Sequence, residues 1–259
     1  MLLQSKKDKL TLMVFNNRQS LAENAAMMVS DKIKYLLSLK QNINIIFAAA
    51  PSQNEFLDEL VLDKSIDWSR INGFHMDEYL GIPHDAPQLF GNFLRERLFD
   101  RVTFKSANFI HAKPHNVEQE CERYTALLNN FPPDIVCMGL GENAHIAFND
   151  PPVANFNDIV KVKMVELDLA CRQQQVNDGC FNSLNEVPIH ALTLTIPSLM
   201  SASFIYCIVP GKSKATAVWH TLNNSIINEH YPSTILRNHD NAILFVDSDS
   251  YSKSQTIDL

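Results

Sequence analysis

A polar loop after one of the apolar segments carries the residues best suited to acid–base chemistry. The sequence GLGENAHIAFNDPP, residues 139–152, follows the apolar run DIVCMG. His145 lies close to Asn143 and Asp150, and a carboxylate or amide beside an imidazole can fix its tautomer and tune its charge near neutral pH. Gly139 and Gly141 let the backbone turn and approach a ligand closely. The loop predicts an acid–base site around His145.

A second carboxylate site is predicted in FHMDEYLGIP, where Asp77 and Glu78 directly follow the apolar run INGFHM. A carboxylate at the end of a strand can act as a general base if burial raises its pKa towards neutrality. A solvated turn or a helix N-cap is the other reading of such a pair. The catalytic reading requires the other polar segments to lie nearby.

Two further segments are suited to binding an anion. VPGKSKATAVWHTL predicts a strand, a turn at Gly211 and a helix that starts near Lys212 and Lys214. Lysines at a helix N-terminus oppose the helix dipole, so a bound anion explains them better than helix stability does, although two solvated surface lysines are the alternative. AAAPSQN offers a second phosphate cradle through Ser52 and successive backbone amides.

No metal site is predicted. His111 and His115 have helical spacing, but Pro114 lies between them and no second acidic or cysteine cluster accompanies them. The five cysteines form no CxxC pair, and their odd number favours reduced thiols in a reducing compartment.

Alternation of strand-length apolar runs with helical periodicity predicts a Rossmann-like three-layer α/β/α fold with a mostly parallel central sheet. Ligands bind at the carboxyl ends of the strands in such folds. The stretch 148–189 is the least regular and is expected to form a lid or an excursion over the site. Strands are predicted at 10–15, 43–50, 71–76, 134–140, 190–196, 204–210 and 242–247, and helices near 18–39, 53–62, 87–99, 116–129 and 212–222.

Composition excludes several classes of partner. The chain has 259 residues, 46% of them hydrophobic, and no apolar run reaches the ~20 residues that cross a bilayer. Its net charge of −7 repels nucleic acid and anionic membranes. The N-terminus lacks the long apolar region of a signal peptide, so a cytoplasmic location is expected. Without a Pro/Gly/Ser linker or a repeat, residues 1–259 are predicted to form a single domain.

Three of the segments together resemble a known family. FHMDEYLGIP, MGLGENAHIAFNDPP and PGKSKA, in this order and at these separations, are similar to motifs of the glucosamine-6-phosphate deaminase (isomerase) family, whose relatives include the 6-phosphogluconolactonases. The likeness extends from the first predicted strand to the last. HIAFN looks like the deaminase branch, because lactonases usually follow the matching histidine with a different sequence.

The resemblance implies conversion of glucosamine 6-phosphate and water to fructose 6-phosphate and ammonia, without a cofactor. By position, Asp77 matches the base that moves a proton from C2 to C1 of the open-chain sugar. His145 matches the acid/base that opens the ring, Asp150 the acidic residue that orients it, and Lys214 a phosphate ligand. The partner expected is a small sugar phosphate, and a homo-oligomer is expected because relatives form closed oligomers as well as monomers.

The chain departs from the family pattern at several positions. Asn143 and Ala144 stand where the family commonly has aspartate and glycine, and Asn143 can orient a histidine or a hydroxyl but cannot share a proton. Asp150 stands where glutamate is common. AAAPSQN replaces a phosphate loop rich in Gly, Ser and Thr. A phosphate-binding arginine is missing from VNDGCF, and Arg172 is the candidate substitute.

Two other functions remain open. A lactonase-type hydrolase would use His145 and the phosphate ligands but would not need Asp77 to move a proton. A catalytically silent sugar-phosphate sensor would need only the binding residues. Retention of Asp77, His145 and Asp150 together favours the deaminating isomerase over the silent sensor.

Overall fold

A computed structural model describes residues 1–254 and shows a central sheet of eight strands within that range. Its order is β1-β2-β11-β10-β7-β3-β4-β6, and every neighbouring pair is parallel except β1 with β2. The strands are Leu3–Lys7 (β1), Leu10–Phe15 (β2), Ile43–Phe47 (β3), Ile71–His75 (β4), Ser106–Asn108 (β6), Ile135–Met138 (β7), Phe204–Val209 (β10) and Ala242–Asp247 (β11).

Helices cover both faces of this sheet, which confirms the predicted α/β/α fold. Neighbouring residues of β3 enter different cores: Ile45 and Phe47 pack in the core that includes α1, whereas Ile46 packs with Tyr124 and Leu128 of α4. Because alternate side chains of a strand point to opposite faces, strands covered on both sides read as continuous apolar runs. The helices are Arg18–Leu39 (α1), Asn54–Leu62 (α2), Phe90–Leu94 (α3), Val117–Asn130 (α4), Leu169–Asn177 (α5), Ile196–Met200 (α6) and Ala215–Asn223 (α7).

The strand predicted at 190–196 belongs to a second, smaller sheet. Its residues His190–Leu194 form β9, which pairs antiparallel with β5 (Asp77–Tyr79) on one side and with β8 (Val162–Glu166) on the other. An isolated apolar run cannot show which partner it will pair with, so the sequence did not separate the two sheets. The short strands β1, β5, β6 and β8 were not predicted.

The long predicted helices are confirmed, and two predicted helices differ in their first or last turns. The helix predicted near 87–99 is α3 followed by a π-helical turn over Arg95–Phe99, and the one predicted near 212–222 begins as a 3₁₀ turn over Lys212–Lys214. The irregular stretch 148–189 contains β8 and α5. Across residues 1–254, the helices are too short or too polar to cross a bilayer.

The arrangement of strands brings the polar segments together. β10, β7, β3 and β4 are consecutive neighbours in the parallel sheet. The segments PGKSKA, GLGENAH, AAAPSQN and MDEY follow these four strands in that spatial order. Because parallel strands end at the same edge, all four segments meet there.

Candidate active site

The four segments surround one cleft at the carboxyl edge of the sheet. The cleft contains about 590 Å³ of space, part of it open to solvent. The predicted residues that line it are Ser52, Asp77, Gly139, Gly141, His145 and Lys214. The structure therefore brings together groups that are up to 162 positions apart in the chain, counting from Ser52 to Lys214.

His145 and Asp150 form a hydrogen-bonded pair at this cleft. The Nδ1 atom of His145 lies 2.8 Å from Oδ1 of Asp150, whose side chain is only 1% exposed. Asn143 donates its Nδ2–H to the same oxygen at 2.9 Å and accepts the backbone N–H of His145 at 3.2 Å. Since Nδ1 is held by Asp150, Nε2 is the ring nitrogen left for a ligand.

The charge of Asp150 is supported by its partners. Burial alone would raise the pKa of this carboxyl group, but the charge of His145 and the hydrogen bonds from His145 and Asn143 outweigh burial and lower the pKa below its ordinary value. A carboxylate that stays ionised stabilises a protonated imidazole beside it. Asn143 thus orients the pair, as the sequence predicted for an amide at this position.

Both glycines of the loop line the cleft, as expected, and Gly141 has a further role that the sequence did not indicate. The left-handed backbone conformations occur at Ala144 (φ 67°) and Ala147 (φ 49°), where an L residue is strained. Gly141 provides space instead, because a Cβ atom there would lie 2.2 Å from Nε2 and Cε1 of His145. Absence of a side chain at Gly141 is therefore what lets the imidazole occupy its place.

Asp77 begins β5 and presents its carboxyl group to the cleft. The residue is 7% exposed, and its carboxyl group makes no hydrogen bond or ion pair to residues 1–254. Burial, with further contributions from the charges of Glu78 and Asp150, raises the pKa of Asp77 well above its ordinary value. A buried carboxyl group with a raised pKa is a candidate for proton transfer.

Glu78 serves the scaffold rather than the cleft. Its carboxylate accepts backbone N–H groups of Tyr79 (3.0 Å), Phe90 (3.0 Å) and Gly91 (2.8 Å). Burial raises the pKa of Glu78 to about 7, although these three hydrogen bonds act to lower it. Neither a solvated turn nor an N-cap describes the DE pair: Glu78 is buried in β5 and holds the start of α3, whose N-cap residue is Leu89, from outside that helix.

Lys214 presents a buried cation without a protein partner. The residue is 5% exposed, it lines the cleft, and its ammonium group makes no hydrogen bond or ion pair to residues 1–254. Burial lowers the pKa of Lys214, while Asp178 and Glu142 act in the opposite direction. Gly211 makes the preceding turn at φ 93°, and Lys212 is exposed. A buried ammonium group without a partner favours an anionic ligand.

Ser52 lies opposite, in the 3₁₀ turn Pro51–Gln53 that follows β3. The buried side chain of Gln53, which was not predicted as a site residue, donates to Ser52 Oγ at 3.2 Å and to the carbonyl oxygen of Ile208 at 3.1 Å. A Cβ atom at Gly139 would lie 3.0 Å from the same amide nitrogen. Gln53 therefore ties the turn after β3 to the strands β10 and β7.

Arg172 is not brought to the cleft. Its guanidinium group donates to the carbonyl oxygens of Leu184 (2.7 Å) and Val187 (3.0 Å), which ties α5 to the segment before β9. The arginine is thus used to hold α5 in place, and its side chain is absent from the cleft lining among residues 1–254.

The segment after β8 adds cleft residues that were not predicted individually. Only the irregularity of 148–189 indicated that it would cover the site, because glutamine-rich sequence carries no motif. The additional lining residues are Gln174, Gln175, Asp178 and Cys180.

One group of potential metal ligands occurs in residues 1–254. Ligand atoms of His145, Asp150 and Cys171 lie within 4.8 Å of one another. Burial, together with the charge of Asp150, raises the pKa of the Cys171 thiol well above its ordinary value. Within this group, His145 Nδ1 and Asp150 Oδ1 are 2.8 Å apart and form a hydrogen-bonded dyad.

Comparisons with known proteins agree with this geometry. The family model for glucosamine-6-phosphate isomerases/6-phosphogluconolactonase matches residues 16–245. A glucosamine-6-phosphate deaminase of Bacillus cereus (strain B4264) is 31% identical over 243 residues, covering 94% of this chain and 88% of the relative, and one of Bacillus anthracis (strain A0248) has the same values.

Solved structures show the same fold. A monomeric glucosamine-6-phosphate deaminase matches with a TM-score of 0.84 and 26% identity, covering 93% of this chain and 98% of that chain. A 6-phosphogluconolactonase of Thermotoga maritima matches with a TM-score of 0.75 and 19% identity, covering 92% and 99%.

Gly141→Ala tests the space required by His145. The added methyl group would overlap the imidazole and push it away from Asp150, at a cost of about 1–3 kcal/mol in the free energy of unfolding. We expect the low-field proton NMR signal of the His145 Nδ1–H to disappear. In the control Gly139→Ala, whose Cβ atom would meet Gln53, the signal should persist. Loss of the signal in both variants would contradict the conclusion that Gly141 in particular provides the space for His145.

Asp77→Asn tests the burial of this carboxyl group through pH-dependent stability. The folded protein keeps a proton on Asp77 that the unfolded chain releases above the ordinary pKa of 3.8, so the native protein loses stability as pH rises from there towards the folded pKa. Asparagine does not titrate. We expect the variant to gain stability over the native protein between pH 4 and 7, by about 1.4 kcal/mol per unit of pKa rise. Urea unfolding at several pH values measures this gain, and a constant difference would contradict it.

Proposed function

Since the chain belongs to the family of glucosamine-6-phosphate isomerases and 6-phosphogluconolactonases, we propose that it converts glucosamine 6-phosphate and water to fructose 6-phosphate and ammonia. The observation that carries the proposal is the pairing of two differently tuned acids in one cleft, the His145–Asp150 dyad and the buried Asp77. The reaction needs one group for ring opening and another for proton transfer between carbons.

Binding starts at the phosphate. The ammonium group of Lys214 lies in the cleft without a protein partner, and Ser52 and the backbone of the turns after β3 and β10 offer hydrogen-bond donors. A phosphate dianion would pair with the ammonium group of Lys214 and accept the hydroxyl proton of Ser52, since both residues line the cleft. The other end of the sugar then extends towards Asp77 and His145.

Ring opening is assigned to His145. The Nε2–H group of the protonated imidazole donates its proton to the ring oxygen, which breaks the C1–O5 bond. The freed Nε2 then accepts the proton of the anomeric hydroxyl, which forms the aldehyde and restores the protonated imidazole. Asp150 holds Nδ1 throughout and stabilises the positive charge of the ring. Asn143 keeps Asp150 in place but cannot take up a proton.

Isomerisation is assigned to Asp77. Its carboxylate removes the proton from C2 while O1 gains a proton from the C2 ammonium group, and the resulting enolamine receives the proton of Asp77 back at C1. C2 is then left as an iminium ion, to which water adds, and ammonia leaves to give the ketone. One carboxylate on a rigid strand can serve both carbons because C1 and C2 are bonded neighbours.

The tuning of Asp77 favours an amino sugar over a lactone. The pKa of Asp77 is raised mainly by burial and further by the charges of Glu78 and Asp150, and its carboxyl group forms no ion pair within residues 1–254. The ammonium group at C2 of glucosamine 6-phosphate would supply a cation and stabilise the ionised base. A lactone carries no positive charge there, and its hydrolysis does not require proton transfer between carbons.

The deciding experiment incubates the purified protein with glucosamine 6-phosphate and measures ammonia and fructose 6-phosphate. We expect both products, and a fall in kcat of about 10²–10⁴-fold in Asp77→Asn, because a general base is lost while substrate still binds. Hydrolysis of 6-phosphogluconolactone without ammonia release would favour the lactonase function instead. Sugar-phosphate binding without either turnover would indicate a sensor.

Lys214→Met tests phosphate binding. Methionine fills the same space without a charge, so we expect KM for glucosamine 6-phosphate to rise about 10- to 150-fold, the value of a charged hydrogen bond, while kcat changes little. Because phosphate is held equally in the ground and transition states, its loss raises KM and leaves kcat nearly unchanged. The control Lys212→Met removes an exposed lysine two residues away and should leave KM unchanged. An unchanged KM in Lys214→Met would remove Lys214 from the site.

A further inference from the structure

Gln175 is a buried residue of α5 whose amide has one satisfied end and one free end. The residue is 6% exposed, and its Oε1 atom accepts the hydroxyl proton of Tyr79 at 2.6 Å. Its Nε2 atom makes no hydrogen bond to residues 1–254, although Gln175 lines the cleft. Because Gln175 lines the cleft and its Nε2–H group has no partner within residues 1–254, this donor is available to a molecule bound in the cleft.

The orientation of this amide is determined by Tyr79. The reverse orientation would place the NH₂ group against the hydroxyl and leave the buried O–H of Tyr79 without an acceptor. Aromatic rings hold Tyr79 in turn, with centroids of Phe90, Phe148 and Phe181 at 4.8, 5.3 and 5.3 Å. The NH₂ group of Gln175 is therefore fixed towards the cleft rather than free to rotate.

Gln175 also has a defined position relative to the reacting groups. Tyr79 lies two residues after Asp77 on β5, so both side chains are on the same face of that strand. The neighbour Gln174 uses both ends of its amide, accepting the N–H of Glu142 at 2.8 Å and donating to Asp178 at 3.2 Å. Asp178 acts on the charge of Lys214. Gln175 is thus on the Asp77 side of α5, and Asp178 is on the phosphate side.

We propose that Gln175 forms a hydroxyl-binding subsite, in which its Nε2–H group donates to the C3 or C4 hydroxyl oxygen of the bound sugar phosphate. This subsite rests on the proposed function for its substrate class. A donor-only group fits a hydroxyl oxygen and does not fit the ammonium group at C2. The subsite accordingly belongs to the carbons between the reacting pair, C1 and C2, and the phosphate-bearing C6.

The test measures binding of two ligands, fructose 6-phosphate and inorganic phosphate. Ammonia is left out, so fructose 6-phosphate cannot be converted to glucosamine 6-phosphate during the measurement. By calorimetry, we expect Gln175→Met to weaken binding of fructose 6-phosphate about 3- to 10-fold, the value of one neutral hydrogen bond. Binding of inorganic phosphate should be unchanged. The matched control is Gln173→Met, because Gln173 is exposed on the same helix and its amide reaches only Asn177 among residues 1–254.

A second variant separates loss of the amide donor from loss of structural support for Tyr79. Gln175→Glu keeps an acceptor for Tyr79 and removes the donor, so it should also weaken binding of fructose 6-phosphate. If Gln175 only supports Tyr79, Gln175→Met lowers the free energy of unfolding and leaves the Kd unchanged, which would overturn the proposal. The analogue of fructose 6-phosphate that lacks the hydroxyl bound by Gln175, either the 3-deoxy or the 4-deoxy compound, should have the same Kd for the native protein and for Gln175→Met. If both analogues bind Gln175→Met more weakly than the native protein, the proposal is also overturned.

The outcomes separate this inference from the proposed reaction. Dependence of fructose 6-phosphate binding on Gln175 without ammonia release from glucosamine 6-phosphate would support the subsite and overturn the reaction. Ammonia release with unchanged binding in both Gln175 variants would overturn the subsite alone. Failure of the native protein to bind fructose 6-phosphate would overturn both.

Discussion

Burial of two carboxyl groups beside one cleft is the constraint on which the chemistry of this protein depends. Asp150 receives hydrogen bonds from His145 and Asn143, and its pKa is lowered despite burial. Asp77 has no such partner, and its pKa is raised by burial and by the neighbouring carboxylates. Two chemically identical side chains therefore acquire different functions, one as a fixed charge and one as a group that exchanges a proton.

The scaffold maintains this difference by placing Asp77 on β5 of the smaller sheet and Asp150 in the loop that follows β7 of the central sheet. The chain leaves the parallel sheet after β4 and pairs Asp77 with Thr193 of β9 in the antiparallel sheet. Glu78 then anchors this turn to α3 through the backbone N–H groups of Phe90 and Gly91. Alternation along β5 places Asp77 on the opposite face from Glu78, and Asp77 lines the cleft, so adjacent acidic residues have unrelated roles.

The positions that depart from the family pattern have physical consequences in this structure. Asn143 keeps the orienting hydrogen bonds of the dyad but cannot exchange a proton. Ala144 adopts a left-handed conformation that glycine would adopt without strain. Arg172, the predicted substitute for a phosphate-binding arginine, binds two backbone carbonyl groups instead. Lys214 is left as the buried cation of the cleft within residues 1–254.

The apolar runs of the sequence predicted six of the eight strands of the central sheet and the four polar segments at its edge. Apolar runs in a parallel sheet are recognisable from composition, and polar residues after each run must lie at the carboxyl ends. Asp77, His145, Asp150 and Lys214 were found in this way. The three-dimensional contacts were needed to show that the carboxyl group of Asp77 has no hydrogen-bond partner within residues 1–254, that Arg172 binds backbone carbonyl groups, and that Gln175 meets Tyr79 across 96 positions of the chain. Those facts depend on distances between segments that no local pattern encodes, because pKa values and hydrogen bonds respond to neighbours in space.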